Sequence, residues 1–111
     1  MDQPALLETL KTLCGLPHEA ATVEFKSNLV QHEEIGQSLS ALANAAALEG
    51  HPRAWLVWGV EDGSHAVVGT TFDPLARKAV GNQSLVMWLQ QMTAPRADFQ
   101  FHVCQHPQGK V

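Results

Sequence analysis

The sequence predicts a single α/β (α+β) domain, in which helices pack on a mixed sheet of about four strands, in the order α-β-α-β-β-α-β. Two long segments carry apolar residues at helical spacing, and several shorter segments are alternating or continuously apolar, as strands are. An Asp-Gly turn between two of the shorter segments predicts a hairpin, so at least one strand pair is antiparallel. The 111 residues are enough for one domain around one modest core.

The first half of the chain is predicted to form a helix, a strand and a second helix. Residues 4–14 place leucines at helical spacing and stop at a glycine. Residues 22–27 alternate apolar and polar side chains, so Glu24 and Lys26 share the polar face of a half-buried strand. Residues 33–48 are rich in alanine and carry an apolar stripe, which predicts the longest helix.

A central strand and its hairpin partner follow. Residues 55–60 are apolar on both faces, which indicates a strand that is covered on each side. Asp62 and Gly63 form the turn, and residues 66–69 return as the paired strand. The step from the first strand through the long helix to the central strand allows a parallel pair by a right-handed crossover.

The last third of the chain is predicted to add helix and strand. Residues 73–81 begin with Asp-Pro, a capping side chain followed by proline at the first helical position, and predict a short helix. Residues 84–92 carry an apolar stripe and predict a further helix. Residues 99–103 alternate apolar and polar side chains, so they predict another strand.

The two ends of the chain and its apolar runs indicate its cellular setting. The first residues lack the basic and apolar regions of a signal peptide. The longest apolar run, residues 55–60, is far shorter than the roughly 20 residues that span a bilayer. We therefore expect a cytoplasmic protein with no membrane partner. Residues 108–111 resemble a hairpin turn that enters another strand, so we expect residues 1–111 to be the N-terminal fragment of a longer protein, with further domains after Val111.

The charge balance limits how this protein would bind nucleic acid. Seven basic and eleven acidic residues give a net charge of −4, whereas modules that bind duplexes usually carry a basic face. Binding to DNA or RNA therefore requires a few focused cations, a neighbouring domain or a second subunit. The candidate phosphate contacts are Lys26, Arg53 and Arg96.

Three carboxylates form the candidate catalytic and metal site. Glu24 lies on the polar face of the first strand, Glu19 lies just before that strand, and Asp62 follows the central strand. Carboxylate oxygens suit Mg²⁺ or Mn²⁺, and such a metal activates water and neutralises phosphate charge during backbone cleavage. The alternative is a solvated acidic face with a Glu–Lys pair of little energetic value.

The remaining cysteine, histidine and tryptophan residues favour structural roles. Cys14 and Cys104 are ninety positions apart and indicate reduced, buried thiols. His102, Cys104 and His106 alternate along one strand and suggest zinc ligands, but an ordinary polar strand face explains them better. The tryptophans of the central strand lie on its opposite faces, so core packing is favoured over a base-stacking platform.

Four segments together resemble one family. They are Glu-x-x-x-x-Glu-Phe-Lys at 19–26, Ser-Ala-Leu-Ala-Asn at 40–44, Gly-Val-Glu-Asp-Gly at 59–63 and Val-Val-Gly at 67–69. From about residue 5 the chain is similar to the AlbA-type Schlafen domain, with these motifs in the family's order. The chain departs from the family after Asn44, where a longer alanine-rich stretch replaces the usual glycine turn.

The resemblance implies three alternative functions. Bacterial members are commonly DNA-binding modules of transcriptional regulators, joined to ATPase-like or winged-helix segments, which implies a nucleic-acid-binding module of a multidomain bacterial regulator. Animal relatives include ribonucleases that use two glutamates and an aspartate, which by motif position are Glu19, Glu24 and Asp62, so a Mg²⁺- or Mn²⁺-dependent endoribonuclease is the alternative. Those nucleases clamp RNA between paired lobes, so a single lobe is not expected to be an enzyme by itself. The third alternative is an oligomerisation module, a homodimer without its own ligand.

Overall fold

The computed structural model describes residues 2–16, 22–29, 31–79, 81–92 and 99–111. Within these residues the order of elements is α-β-α-β-α-β-β. The elements are α1 (Gln3–Cys14), β1 (Val23–Lys26), α2 (His32–Glu49), β2 (Trp55–Trp58), α3 (Leu85–Met92), β3 (Gln105–His106) and β4 (Gly109–Lys110). None of the helices in these described segments combines the length and the apolar composition that crossing a bilayer requires.

The mixed helix-and-strand class is confirmed, but the predicted four-stranded sheet and the predicted order are wrong. The described strands form two sheets of two strands each. β1 and β2 pair in parallel, with Val23 opposite Trp55 and Lys26 opposite Trp58. β3 and β4 pair antiparallel as a short hairpin. The parallel pair is the one that the strand-helix-strand step allows.

Helix α1 ends as its sequence predicts and begins one residue earlier, at Gln3. Asp2 is the N-cap, and its carboxylate accepts a hydrogen bond from the Ala5 N–H at 2.9 Å. Gly15 ends the helix, and its N–H donates to the Lys11 carbonyl at 3.0 Å. The Gln3 side chain then ties the start of α1 to the C-terminal hairpin, because its amide group bonds the carbonyl at 103 and the N–H of Gln105.

Helix α2 is the longest described element, and it extends one residue further at each end than predicted. Gln31 is its N-cap, but the Gln31 side chain makes no capping hydrogen bond. Gly50 ends the helix in the left-handed conformation (φ 71°), and the following His51 N–H donates to the Ala46 carbonyl at 2.9 Å. A glycine at this position satisfies the last carbonyls without a steric cost.

The strand predicted at residues 66–69 is reduced to a single bridge. Val60 and Val67 form one isolated antiparallel bridge. The N–H groups of the two residues after Val67 both donate to the carbonyl of Gly59, at 2.8 and 2.9 Å. Because two successive amides converge on one carbonyl, the alternating ladder of a longer strand does not form.

Two further predictions fail for a related reason. Residues 73–81 form a turn rather than a helix where they are described, because the Asp73 carboxylate caps the amides of the next turn and only one helical hydrogen bond follows. Residues 99–103 are described without strand pairing, and backbone pairing begins where Cys104 exchanges hydrogen bonds with Val111. Phe99 and Phe101 nevertheless share a face, since their rings lie 5.7 Å apart in a T-shaped contact. The alternating pattern therefore predicted correctly that these side chains share a face, but residues 99–103 have no neighbouring strand among the described residues with which to pair.

The core consists of two apolar clusters on opposite faces of the β1–β2 sheet. The α1-side cluster is built from Leu6, Leu10, Val23, Phe25, Val57, Val60 and Cys104. The α2-side cluster is built from Ile35, Trp58, Phe72, Leu85 and Leu89. Trp58 is buried in the second cluster and Trp55 packs against the first, so the tryptophans lie on opposite faces and serve the core, as predicted. The sheet is therefore covered on both sides, as parallel sheets are.

Candidate nucleic-acid interface

Two of the predicted site residues lie at the carboxyl end of the parallel pair. Lys26 is the last residue of β1, opposite Trp58 at the end of β2. The Gly59 N–H donates to the Lys26 carbonyl at 2.8 Å, and three residues later the chain reaches Asp62. Ligands of open α/β sheets commonly bind outside the carboxyl ends of the strands, which makes this end of the sheet the candidate interface.

Glu24 and Lys26 share a face of β1, as predicted, and form an ion pair. Lys26 Nζ lies 3.2 Å from Glu24 Oε1, and the two side chains are 38% and 29% exposed. A pair of this exposure contributes at most about 1 kcal/mol, because solvent screens it. The pair places the ammonium group beside the Glu24 carboxylate on the same face of β1.

Asp62 lies in an exposed turn. The turn is closed by the Glu61 N–H, which donates to the Ala66 carbonyl at 2.8 Å, and Ser64 donates its hydroxyl to the Glu61 carboxylate at 3.1 Å. Gly63, directly after Asp62, has a φ of 92°. The Asp-Gly turn that the sequence predicted is thus present, and it presents the Asp62 carboxylate to solvent.

The carboxylate trio is only partly described. Glu19 lies outside the described residues, so its distance from Glu24 and Asp62 stays a prediction. Carboxylate oxygens are suitable ligands for Mg²⁺ or Mn²⁺. Among the described residues, however, no three histidine, cysteine, aspartate or glutamate side chains are grouped to hold a metal ion.

The three residues of the zinc alternative near the C-terminus have different surroundings. Cys104 is 5% exposed within the α1-side cluster, whereas His102 is exposed and His106 accepts a hydrogen bond from the Gln108 N–H through its Nδ1. These described side chains form no metal-binding group. His102 lies in the segment before β3 that has no strand pairing, so the predicted strand face is absent there, and Cys104 belongs to the core.

Arg53 lies at the opposite end of the sheet from Lys26. Its guanidinium carbon lies 5.9 Å from the centroid of the Trp55 ring, a cation–π contact that orients an otherwise exposed side chain. Trp55 opens β2 and Trp58 ends it, so the two ends of the sheet are separated by roughly 10 Å at about 3.3 Å per residue. Lys26 and Arg53 therefore do not converge on one anion. Arg96, the third predicted phosphate contact, lies outside the described residues.

The structure also shows two side-chain contacts of polar residues that the sequence did not predict. Thr70 donates its hydroxyl to the Asn28 side-chain oxygen at 3.1 Å, which places both residues just beyond Lys26. His65 adopts a positive φ of 59°, and its ring lies 4.4 Å from the ring of Phe25. These contacts join positions far apart in the sequence, and no local pattern signals them.

The two cysteines are not activated nucleophiles. Both are free thiols, Cys104 buried and Cys14 half-buried. Burial raises the pKa of the Cys104 thiol and that of Cys14, so both stay protonated near neutral pH. A catalytic cysteine requires the opposite shift. The prediction of reduced thiols that pack as small apolar groups is consistent with this arrangement.

Comparison with known protein families gives one match. The family model described as Schlafen, AlbA_2 matches residues 19–111, so α1 precedes the matched segment. The match includes β1, α2 and β2 and the turn that carries Asp62. Neither the search of curated proteins nor that of solved structures gave a significant match.

Proposed function

Because the chain belongs to the Schlafen AlbA_2 family, we propose that it is a nucleic-acid-binding domain, and specifically the DNA-binding module of a multidomain bacterial regulator. The family match over residues 19–111 is the observation that carries this proposal. It supports a nucleic-acid-related role, although the domain is acidic and nucleic acid is a polyanion.

A small number of focused cations is the mode of binding that the charge balance favours. The net charge of −4 argues against a broad basic face. Lys26 supplies an ammonium group at the carboxyl end of the β1–β2 sheet, and Arg53 supplies a guanidinium at the amino end of β2, oriented by Trp55. Phosphate contacts of this kind fix the position of the protein on the strand and carry no sequence information.

The experiment is a binding titration with matched charge variants. Fluorescently labelled duplex DNA and single-stranded RNA are titrated at low salt with the unmodified protein, Lys26→Gln, Arg53→Gln and Lys11→Gln. We expect the first two variants to weaken binding and to lower the slope of affinity against salt by about 1 each. Lys11 is exposed on α1, which covers the face of β1 opposite the Lys26 side chain, so Lys11→Gln removes the same charge and should change binding little.

Two outcomes contradict this proposal. One is the absence of any binding to DNA or RNA at low salt. The other is equal weakening by Lys26→Gln and Lys11→Gln, because binding would then follow net charge alone and involve no particular site. Tighter binding to DNA than to RNA supports the DNA-binding module, and the reverse preference argues against that part of the proposal.

A metal-dependent endoribonuclease is the second candidate. The observation that favours it is that Asp62 follows the carboxyl end of β2 closely, and that Glu24 lies on β1 two residues before its carboxyl end. Cleavage of structured RNA in Mn²⁺ should then be lost in Glu24→Gln and in Asp62→Asn. Glu8→Gln on the exposed face of α1 is the matched control and should retain activity. Cleavage that survives Glu24→Gln rejects this candidate.

A further inference from the structure

A groove of about 1080 Å³ runs beside strand β2, and most of the residues that line it are apolar. Helix α1 contributes Leu10 and Leu13 to the lining, and helix α2 contributes Leu39 and Leu42. All of β2 and residues 99–104 line the groove as well. Ligand sites commonly measure about 300–1,000 Å³, so the groove is large enough to hold part of a ligand bigger than a single small molecule.

The lysine and arginine in the lining face no acidic residue there, although the protein as a whole is acidic. These two cations are Arg53 and Lys110. Apart from Glu19 and Asp98, which lie outside the described residues, none of the acidic residues of the chain lines the groove. Neither cation forms an ion pair with another described residue. The charge of the groove is therefore complementary to an anionic ligand.

Arg53 and Lys110 lie at opposite ends of β2. Arg53 precedes the strand, and its guanidinium is held there by the Trp55 ring, whose centroid is 5.9 Å away. The Lys110 carbonyl lies 3.0 Å from where a Cβ on Gly59, the residue after β2, would stand. From Trp55 to Gly59 the chain spans roughly 13 Å at about 3.3 Å per residue. A stacked nucleic-acid strand has one phosphate about every 3.4 Å, so about four of its steps cover this length, which suits a chain of phosphates better than one small anion.

Phenylalanine rings in the lining provide a surface on which unpaired bases can stack. Phe99 and Phe101 are half-buried, and their rings lie 5.7 Å apart. Aromatic side chains accept any base in this way, because every base has a π face. In a duplex the bases are stacked on one another, so the duplex offers its phosphates instead. Burying those charges against the apolar walls would be costly.

We propose that the groove binds an unpaired stretch of a nucleic-acid strand, whose bases stack on Phe99 and Phe101 and whose phosphates contact Arg53 and Lys110. This inference rests on the proposed function and adds to it the form of nucleic acid that the groove accepts. The contacts at Lys26 and Arg53 serve a duplex as well, but the groove does not take one. An unpaired strand therefore binds more tightly than a duplex of the same length.

Three labelled ligands of equal length test the proposal: an oligothymidylate, its duplex with oligoadenylate, and an oligomer of abasic deoxyribose phosphates. We expect the oligothymidylate to bind at least about fivefold more tightly than the abasic oligomer, which is the effect of one stacked base. Phe101→Leu keeps an apolar side chain but removes the ring. It should weaken binding of the oligothymidylate and leave binding of the abasic oligomer unchanged. Equal affinity of the unmodified protein for these two ligands overturns the proposal.

Matched charge variants test whether the strand lies in the groove. Ala43 lines the groove, whereas Ala41 is exposed on the same helix. Ala43→Glu should weaken binding of the oligothymidylate at least about tenfold, because the new carboxylate would face the phosphates, and Ala41→Glu should change it little. If Ala43→Glu does not fold, Lys110→Gln is compared with Lys78→Gln, which removes an exposed charge outside the lining. Equal weakening within the pair that is measured overturns the proposal.

The duplex distinguishes a failure of this inference from a failure of the proposed function. If the duplex binds as tightly as the oligothymidylate, the groove does not select an unpaired strand and this inference is wrong, while the domain still binds DNA. If the protein binds no DNA or RNA at low salt, both proposals are wrong.

Discussion

Three glycines bring separate parts of the backbone into direct contact. Gly59, Gly69 and Gly109 all have positive φ angles, of 86°, 79° and 138°. A Cβ on Gly69 would lie 3.1 Å from the Gly109 Cα, and one on Gly109 would lie 2.9 Å from the Gly69 Cα. The end of β2, the returning segment and the β3–β4 hairpin can approach this closely only because no side chain stands between them. This contact holds the carboxyl end of the sheet, next to Lys26, in place.

Two glycine variants distinguish destabilisation by steric contact from destabilisation by a positive φ angle. Gly59→Ala adds a methyl group 3.0 Å from two backbone atoms, those of Gly69 and Lys110, which have little freedom to move. Gly63→Ala has a similar positive φ of 92°, but nothing lies within 4 Å of the added carbon. We expect Gly63→Ala to lower the free energy of unfolding by about 1–2 kcal/mol, from backbone strain alone. Gly59→Ala should lower it by about 1–3 kcal/mol more, because the added methyl group overpacks the contact.

Urea denaturation of the two variants measures this difference directly. The free energy of unfolding is compared with that of the unmodified protein, with the slope against urea as a check on two-state behaviour. Equal losses for Gly59→Ala and Gly63→Ala would show that the close approach contributes nothing and that only the backbone conformation matters.

At the scale of single elements, the N-terminus of α2 has no capping hydrogen bond from a side chain. Gln31 has the extended backbone of an N-cap (φ −75°, ψ 119°) but no capping hydrogen bond, and Glu34 follows three positions later. Gln31→Ser would complete a capping box with Glu34, which satisfies two amides of the first turn. We expect this change to stabilise the protein by about 0.5–1 kcal/mol.

The matched control for this prediction lies within the same helix. Gln37 is exposed inside α2, where serine is a poorer helix former than glutamine, so Gln37→Ser should destabilise slightly. Thermal and urea unfolding of both variants provides the measurement. A loss of stability in Gln31→Ser would mean that the Gln31 side chain has another role at the start of α2.

The elements that the sequence predicted correctly depend on local information. The helices α1, α2 and α3 and the strands β1 and β2 lie close to their predicted positions, because apolar spacing and turn residues determine them. Residues 66–69 and 99–103 have the composition of strands, but a strand also requires a partner at the right distance. The first segment meets the Gly59 carbonyl instead, and the second has no pairing partner among the described residues.

At the scale of the whole molecule, the candidate interface depends on how the β1–β2 sheet is covered. The apolar clusters occupy both faces, and Glu24 and Lys26 lie on the face of β1 opposite the α1-side cluster, where they are partly exposed. Alternation in β1 was enough to predict that Glu24 and Lys26 share a face. The separation of Lys26 from Arg53 by the length of the sheet was not predictable, because it depends on the parallel register of two strands that are distant in sequence.

The salt dependence of binding is the last prediction, and it follows from the charge of the whole molecule. With a net charge of −4, the only phosphate contacts that we propose for duplex DNA are Lys26, Arg53 and Arg96. Two or three contacts on duplex DNA give a slope of log affinity against log salt between about −1.8 and −2.7. Affinity then falls roughly 10- to 40-fold when salt is raised from 50 to 200 mM. A broad basic face with six to ten contacts would lose about 10³- to 10⁵-fold over the same range. Titrations at four salt concentrations distinguish the two cases. A slope steeper than about −5 would require more phosphate contacts than the three proposed here.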